Sequence, residues 1–138
     1  MKINKIIIAE PSPIISSGLL KYLEDINQLN IVSIVDNIDD LKDKMIIHNP
    51  EMIIINPLVL GYSNHSLIKQ FLQSYPSAYF VAIVSTYVDR NFLKYFKEVI
   101  ELNENKQKVV NKIINLINST DDNSSQNDSF DLSNRETD

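Results

Sequence analysis

The chain of 138 residues is 43% hydrophobic and 22% charged, which is typical of one globular domain with its own core, and it has no cysteine for disulfides, thiolate metal sites or nucleophilic catalysis. Its net charge of −5 comes from residues 119–138, where six acidic side chains stand against one arginine, so residues 1–118 are neutral and have no basic excess for binding nucleic acid. Its apolar runs fall short of the roughly 18 residues of a membrane span or the core of a signal peptide, so we expect a cytoplasmic protein without a membrane anchor.

Five short runs rich in β-branched residues alternate with segments of helical period, which predicts a βα unit repeated five times. The predicted strands are Lys5–Ala9, Ile31–Val35, Met52–Ile55, Tyr79–Ser85 and a weaker Val99–Leu102. The predicted helices are about 13–23, 38–48, 64–74, 89–97 and 104–118, and Ser12 is the expected N-cap of the first. Because the strands are continuously apolar, we expect burial on both faces in an α/β fold: a doubly wound, five-stranded parallel sheet in a three-layer sandwich.

The carboxyl ends of the strands are where doubly wound sheets gather ligands and reactive groups. In this chain that edge carries Glu10, Pro11, Asn56, Pro57, Ser85 and Thr86. These residues include no nucleophile with a base, no metal cluster and no carboxylate dyad, and neither of the two glycines in the chain builds a phosphate loop. The residues therefore do not predict an enzyme.

The C-terminal part differs in composition from the rest of the chain. From Ser119 onward Ser, Asn and Asp dominate, which predicts a flexible acidic linker over residues 119–131. The predicted organisation is a domain at 1–118, this linker, and a short segment at 132–138.

Four stretches with a distinctive order and spacing are Ile6–Pro13 with the Gly18-Leu19 that follows, Ile31–Asn37, Asn49–Asn56 and Val81–Ser85. Together they resemble the receiver domains of bacterial two-component response regulators, specifically those of the LuxR-type transcription factors. The resemblance covers residues 1–118 and implies the (βα)5, flavodoxin-like receiver fold. A fifth stretch, Leu132-Ser133-Asn134-Arg135-Glu136, is similar to the opening of the LuxR-type helix-turn-helix domain. We therefore expect residues 132–138 to be the start of a DNA-binding domain that is not present in this chain.

Receivers of that family use an acidic pair that holds magnesium, a phosphorylated aspartate, a switch hydroxyl and a lysine. The resemblance places Glu10 and Pro11 at the acidic pair, Asn56 at the phosphoacceptor, Ser85 at the hydroxyl and Leu102 at the lysine. An amide cannot form an acyl phosphate, and one glutamate beside it offers little to an ion that needs several oxygen ligands. We expect a degenerate site without a cofactor, weak or absent magnesium binding, and Asn56 acting as a structural cap of the strand end.

These losses predict a pseudo-receiver, which regulates without phosphorylation by forming a homodimer or binding a partner protein. Self-association suits such a module, because helix-turn-helix proteins commonly bind two half-sites as dimers. DNA would be bound only through a C-terminal domain absent from this chain. Two alternatives remain open: a doubly wound domain that senses a small ligand at the strand edge, and a conventional phosphorelay receiver despite Asn56.

Overall fold

Strands and helices alternate along the chain, which the computed structural model describes over residues 3–61, 65–85 and 90–126. The strands are β1 (Asn4–Ala9), β2 (Leu29–Val35), β3 (Met52–Ile55), β4 (Tyr79–Val84) and β5 (Glu98–Glu101). The helices are α1 (Pro13–Leu23), α2 (Ile38–His48), α3 (His65–Gln73) and α4 (Lys106–Gln126). Two 3₁₀ segments, Pro57–Leu60 and Arg90–Tyr95, follow β3 and precede β5.

The strands form one parallel sheet in the order β2-β1-β3-β4-β5. Neighbours β1 and β3 pair in register, with Ala9 beside Ile55, although β2 lies between them in the chain. The chain therefore runs from β1 to β2 on one side, crosses back to β3 on the other side of β1, and continues outward to β4 and β5. The crevice between β1 and β3 is the topological switch point. The predicted doubly wound α/β fold is confirmed.

Both faces of the sheet are buried, which explains the continuous apolar strands. Successive side chains of a strand point to opposite faces. In β1, Ile6 and Ile8 pack into the cluster under α1 and α4, whereas Ile7 and Ala9 pack into the cluster under α2 and α3. All four are 0% exposed. The backbone at the end of β1 is thereby held in place from both sides.

Short polar side chains set the ends of the helices. Ser12 caps α1, and the Asn37 side chain accepts a hydrogen bond from the Asp40 N–H at 2.8 Å to begin α2. Asn49 ends α2 in the left-handed region with φ of 46°, and its N–H donates to the carbonyl of Met45 at 2.9 Å. The predicted bounds of α2 are confirmed.

The predicted fourth helix, 89–97, is wrong in type. The described part of that segment is a 3₁₀ segment of six residues, Arg90–Tyr95, and β5 begins at Glu98, one residue earlier than predicted. The connection from β4 to β5, residues 85–97, is the shortest of the four between successive strands, and 3₁₀ geometry is common in short connecting pieces.

The last helix is longer than predicted. It continues from the expected end near residue 118 to Gln126, so residues 119–126 of the predicted linker are helical. Neither glycine nor proline interrupts the sequence between residues 106 and 126, so nothing in the backbone stops the helix there. The rest of the predicted linker and the helix-turn-helix segment at 132–138 lie outside the described residues. None of the helices in the described ranges, α4 included, is long and apolar enough to span a membrane.

Candidate functional site

Glu10 and Asn56 occupy equivalent positions, each directly after its strand at the switch point. The N–H of Glu10 donates to the carbonyl of Val35 at 2.9 Å, and the N–H of Asn56 donates to the carbonyl of Ala9 at 2.9 Å. The parallel ladder thus continues one residue beyond β1 and β3. It fixes both backbones and brings the two side chains into one crevice.

The two side chains hydrogen-bond to each other. Asn56 Nδ2 donates to Glu10 Oε1 at 3.0 Å, and the N–H of Ser12 donates to Glu10 Oε2 at 2.7 Å. Asn56 Oδ1 in turn accepts from the N–H of Leu58 at 3.0 Å. We call these four residues the edge network. Glu10 is only 3% exposed, and its two oxygens are each paired with a donor, as a buried carboxylate requires.

Asn56 is also the N-cap of the 3₁₀ segment that follows β3. Pro57 occupies the first position of the segment, and the N–H of Val59 donates to the Asn56 carbonyl at 2.9 Å. The expectation that Asn56 caps the strand end is confirmed by these bonds. The ring nitrogen of Pro57 has no hydrogen, so it cannot attack the amide as the backbone N–H does in deamidation.

The other residues that the sequence places at the site make different contacts. Pro11 is exposed and offers no side-chain oxygen. Ser85 is exposed directly after β4, and Leu102 is 47% exposed after β5, with its N–H donating to the Val84 carbonyl at 3.0 Å. Of the five predicted site residues, Glu10 and Asn56 are the pair that the edge network joins. Thr86 lies outside the described residues. Among the residues that the structure does describe, no group of three or more His, Asp or Glu side chains could hold a metal ion.

A cavity of about 250 Å³ opens between α1 and α4, beside the end of β5. Its floor is made of buried side chains from both helices and the sheet: Leu19, Ile83, Ile100 and Val109. Its rim carries Ile14, which is 85% exposed, and Leu102. We call this cavity the α1–α4 groove. Sequence reasoning missed it, because the apolar periodicity of α1 predicts a face against the sheet and says nothing of a gap between two helices.

A carboxylate network lies next to the groove. Lys112 Nζ contacts the two oxygens of Glu104 at 2.9 and 2.8 Å and donates to the Val99 carbonyl at 2.7 Å, while Lys108 lies 3.4 Å from Glu104. Burial works to raise the pKa of Glu104, but hydrogen bonds from Lys112 and the Glu101 N–H hold it below its ordinary value of 4.5. The four-residue spacing of Glu104 and Lys108 is the one sequence signal that could have revealed this network.

No protein-family model matches the chain, and no curated protein matches it. Among solved structures, RcsB of Salmonella typhimurium is similar with a TM-score of 0.71 and 18% identity, over 86% of this chain and 61% of RcsB. The REC domain of AraT from Geobacillus stearothermophilus has a TM-score of 0.74 and 12% identity, over 88% of this chain and 98% of that domain. A LuxR-family response regulator from Aurantimonas has a TM-score of 0.70 and 10% identity, over 86% and 87%.

The chain therefore has the fold of response-regulator receiver domains. At identities of 10% to 18% the likeness concerns the fold. The chain spans 61% of the length of the RcsB chain it matches and nearly the whole AraT REC domain.

Proposed function

We propose that this chain is the N-terminal receiver-like regulatory module of a bacterial response regulator that controls transcription, and that it works in the cytoplasm without being phosphorylated. It is not an enzyme in this proposal; it acts through association with a second copy or a partner protein. The observation that carries the proposal is the hydrogen bond of 3.0 Å between Asn56 Nδ2 and Glu10 Oε1.

That bond involves the two groups that receiver phosphorylation needs, the nucleophile and a ligand of the magnesium ion. A phosphoryl group needs a carboxylate oxygen as nucleophile, and Asn56 presents an amide at the position where the resemblance places that nucleophile. A magnesium ion needs several oxygen ligands, yet both oxygens of Glu10 already accept hydrogen bonds, and Pro11 contributes none. An ion bound there would therefore find a single carboxylate, whose oxygens it would share with these two donors.

The position of this module in a longer protein is also part of the proposal. We infer that residues 1–118 form the regulatory domain, that the rest of the predicted linker follows α4, and that residues 132–138 begin a helix-turn-helix domain. RcsB, one of the similar proteins, has been solved as a DNA complex. In our proposal DNA contact belongs to the C-terminal domain, because residues 1–118 carry no basic excess.

The test is a response to a phosphomimetic. The chain is incubated with beryllofluoride and magnesium, and separately with acetyl phosphate and magnesium, and its near-UV spectrum, its mass and its sedimentation are compared with those of the untreated protein. The REC domain of RcsB, which has been solved with beryllofluoride, is the positive control. We expect no change in spectrum, mass or oligomeric state. A magnesium-dependent change, or a gain of one phosphoryl group, would establish the conventional receiver instead.

A further inference from the structure

A second cavity, of about 380 Å³, lies between α3 and the second 3₁₀ segment. Ala78, directly before β4, and Lys97, directly before β5, both line it, so it lies at the amino end of the sheet. Glu10 and Asn56, in contrast, follow the carboxyl ends of their strands. The cavity is therefore separate from the edge network, and we call it the amino-end cavity.

Aromatic side chains make up much of the lining of the amino-end cavity. Phe80, which is only 4% exposed, lies at its floor, and the half-buried Tyr75 and Tyr95 line it as well. The ring of Tyr75 is held by its neighbours, since its centroid lies 5.2 Å from that of Phe71 and 6.4 Å from that of Phe80. Rings favour tilted and edge-on contacts with other rings beyond the area they bury. The lining therefore favours an aromatic ligand over an aliphatic one.

The backbone on both sides of the cavity is fixed by hydrogen bonds. The N–H of Ala78 donates to the carbonyl of Tyr75 at 3.1 Å, and Pro76 occupies the second position of this four-residue turn. On the other side, the N–H of Lys97 donates to the carbonyl of Phe80 at 2.9 Å. A ligand would therefore bind without the cost of ordering a loop.

The cavity is positively charged. Of the described residues that line it, Lys69 and Lys97 are basic and none is acidic. Lys97 Nζ lies 5.6 Å from the centroid of the Tyr79 ring, and neither lysine pairs with a carboxylate of the described residues. Four other lysines do have a carboxylate within 3.4 Å: Lys21, Lys106, Lys108 and Lys112. The end of α3 at Gln73 adds only about half a negative charge, so the two lysines leave the cavity positive.

We propose that the amino-end cavity binds a small aromatic acid, with its ring against Phe80 and the two tyrosines and its carboxylate or phosphate paired with Lys69 and Lys97. The volume lies within the roughly 300–1,000 Å³ of small-molecule pockets. The buried floor takes the ring, and the two ammonium groups take the charge. The site goes beyond the proposed function and does not depend on it. In that function, the acid supplies an input to a module that is not phosphorylated.

The experiment is an NMR titration of the full 138-residue chain, labelled with ¹⁵N, with benzoate and separately with phenyl phosphate. Each ligand is added up to about 20 mM at constant ionic strength. We expect saturable shifts of the Ala78 and Lys97 amide signals and none at Glu10 and Asn56. The expected dissociation constant is on the order of 1 mM, the weak end of what ligands of about ten non-hydrogen atoms reach. The tighter of the two ligands identifies the acidic group.

The variants test the charge. Lys69→Gln/Lys97→Gln removes both ammonium groups, and we expect it to bind each acid at least about fivefold more weakly. Lys42→Gln/Lys44→Gln changes the net charge equally on α2, away from the cavity, and is the matched control, for which we expect unchanged affinity. Thermal unfolding of both double variants shows that they are folded.

Three further compounds test the ring and the acid separately. Benzyl alcohol has the ring without the charge, inorganic phosphate has the charge without the ring, and cyclohexanecarboxylate has a ring that is not aromatic. We expect each to bind at least about fivefold more weakly than the aromatic acids.

The inference is overturned if neither acid gives saturable shifts, or if the shifts are confined to Glu10 and Asn56. It is also overturned if one of the three further compounds binds as tightly as the acids, or if the two double variants lose affinity equally or not at all. None of these outcomes changes the proposed function, which the beryllofluoride experiment decides.

Discussion

Replacing Asn56 with aspartate tests the edge network directly. The substitution removes a donor 3.0 Å from Glu10 Oε1 and puts an anionic oxygen in its place. A hydrogen bond to a charged group contributes about 1.5–3 kcal/mol. Two unit charges about 3 Å apart repel by about 5 kcal/mol at an effective dielectric constant near 20. The loss of stability is limited to about 4 kcal/mol, because the two carboxylates can take up one proton instead of both staying charged. Protonating an aspartate of ordinary pKa near 3.9 costs about that much at pH 7. We expect Asn56→Asp to lower the free energy of unfolding by about 3–4 kcal/mol.

The double variant Glu10→Gln/Asn56→Asp is the matched control, because it exchanges donor and acceptor while keeping the net charge of the wild type. The new glutamine amide can donate to the new aspartate and still accept from the N–H of Ser12, and the aspartate can accept from the N–H of Leu58. We expect the double variant to recover to within about 1 kcal/mol of the wild type, with a coupling energy of about 2–3 kcal/mol.

The assay is urea unfolding followed by circular dichroism at neutral pH without divalent cations. The free energy of unfolding and its dependence on urea concentration are compared across the wild type, Glu10→Gln, Asn56→Asp and the double variant. An Asn56→Asp variant within about 0.5 kcal/mol of the wild type would show that the Glu10–Asn56 bond does not stabilise the edge. A double variant no more stable than the sum of its single changes would show that the two side chains do not act as a pair.

Two further substitutions test the local structure. Glu104→Gln should lower the free energy of unfolding by about 2 kcal/mol at neutral pH, because Lys112 and Lys108 lose their carboxylate. The pKa of folded Glu104 is lowered from 4.5, so its contribution to stability is present above that value and is lost as the pH falls through the folded pKa. The urea midpoints of variant and wild type should therefore converge in acid. A difference between the midpoints that widens in acid would contradict this. Asn49→Ala should cost about 1 kcal/mol because of the left-handed φ of 46°, whereas Asn49→Gly should be close to neutral, and equal melting temperatures for the two variants would show that the backbone there is not strained.

Much of the fold could be predicted from the sequence, because the local signals agree with the tertiary structure. Continuous β-branched runs such as Met52–Ile55 predict strands buried on both faces, and all four residues of that run are at most 2% exposed. The errors fall where tertiary context decides. The connection between β4 and β5 is the shortest in the sheet and holds a 3₁₀ segment where helical period predicts an α-helix, and the end of α4 lacks the glycine or proline that marks a helix stop.

The candidate site was only partly predictable. Glu10 and Asn56 share one edge because parallel strands end on the same side of a sheet, and that follows from strand order alone. Their hydrogen bond does not follow from strand order. It depends on the side-chain conformations and on the turns that place the N–H groups of Ser12 and Leu58. The α1–α4 groove depends on the spacing of two helices that are far apart in sequence, so no local pattern encodes it.

The residues at this edge are best understood as one set governed by charge. A carboxylate that is only 3% exposed needs donors, and Glu10 obtains them from a backbone N–H and from the Asn56 amide, neither of which carries a net charge. A second carboxylate at position 11 or 56 would add repulsion that a cation would have to neutralise. With proline and asparagine at those positions, Glu10 is the one carboxylate of the edge network, and these two donors satisfy it. Asn56→Asp is therefore expected to destabilise the domain, because it places a second carboxylate beside Glu10.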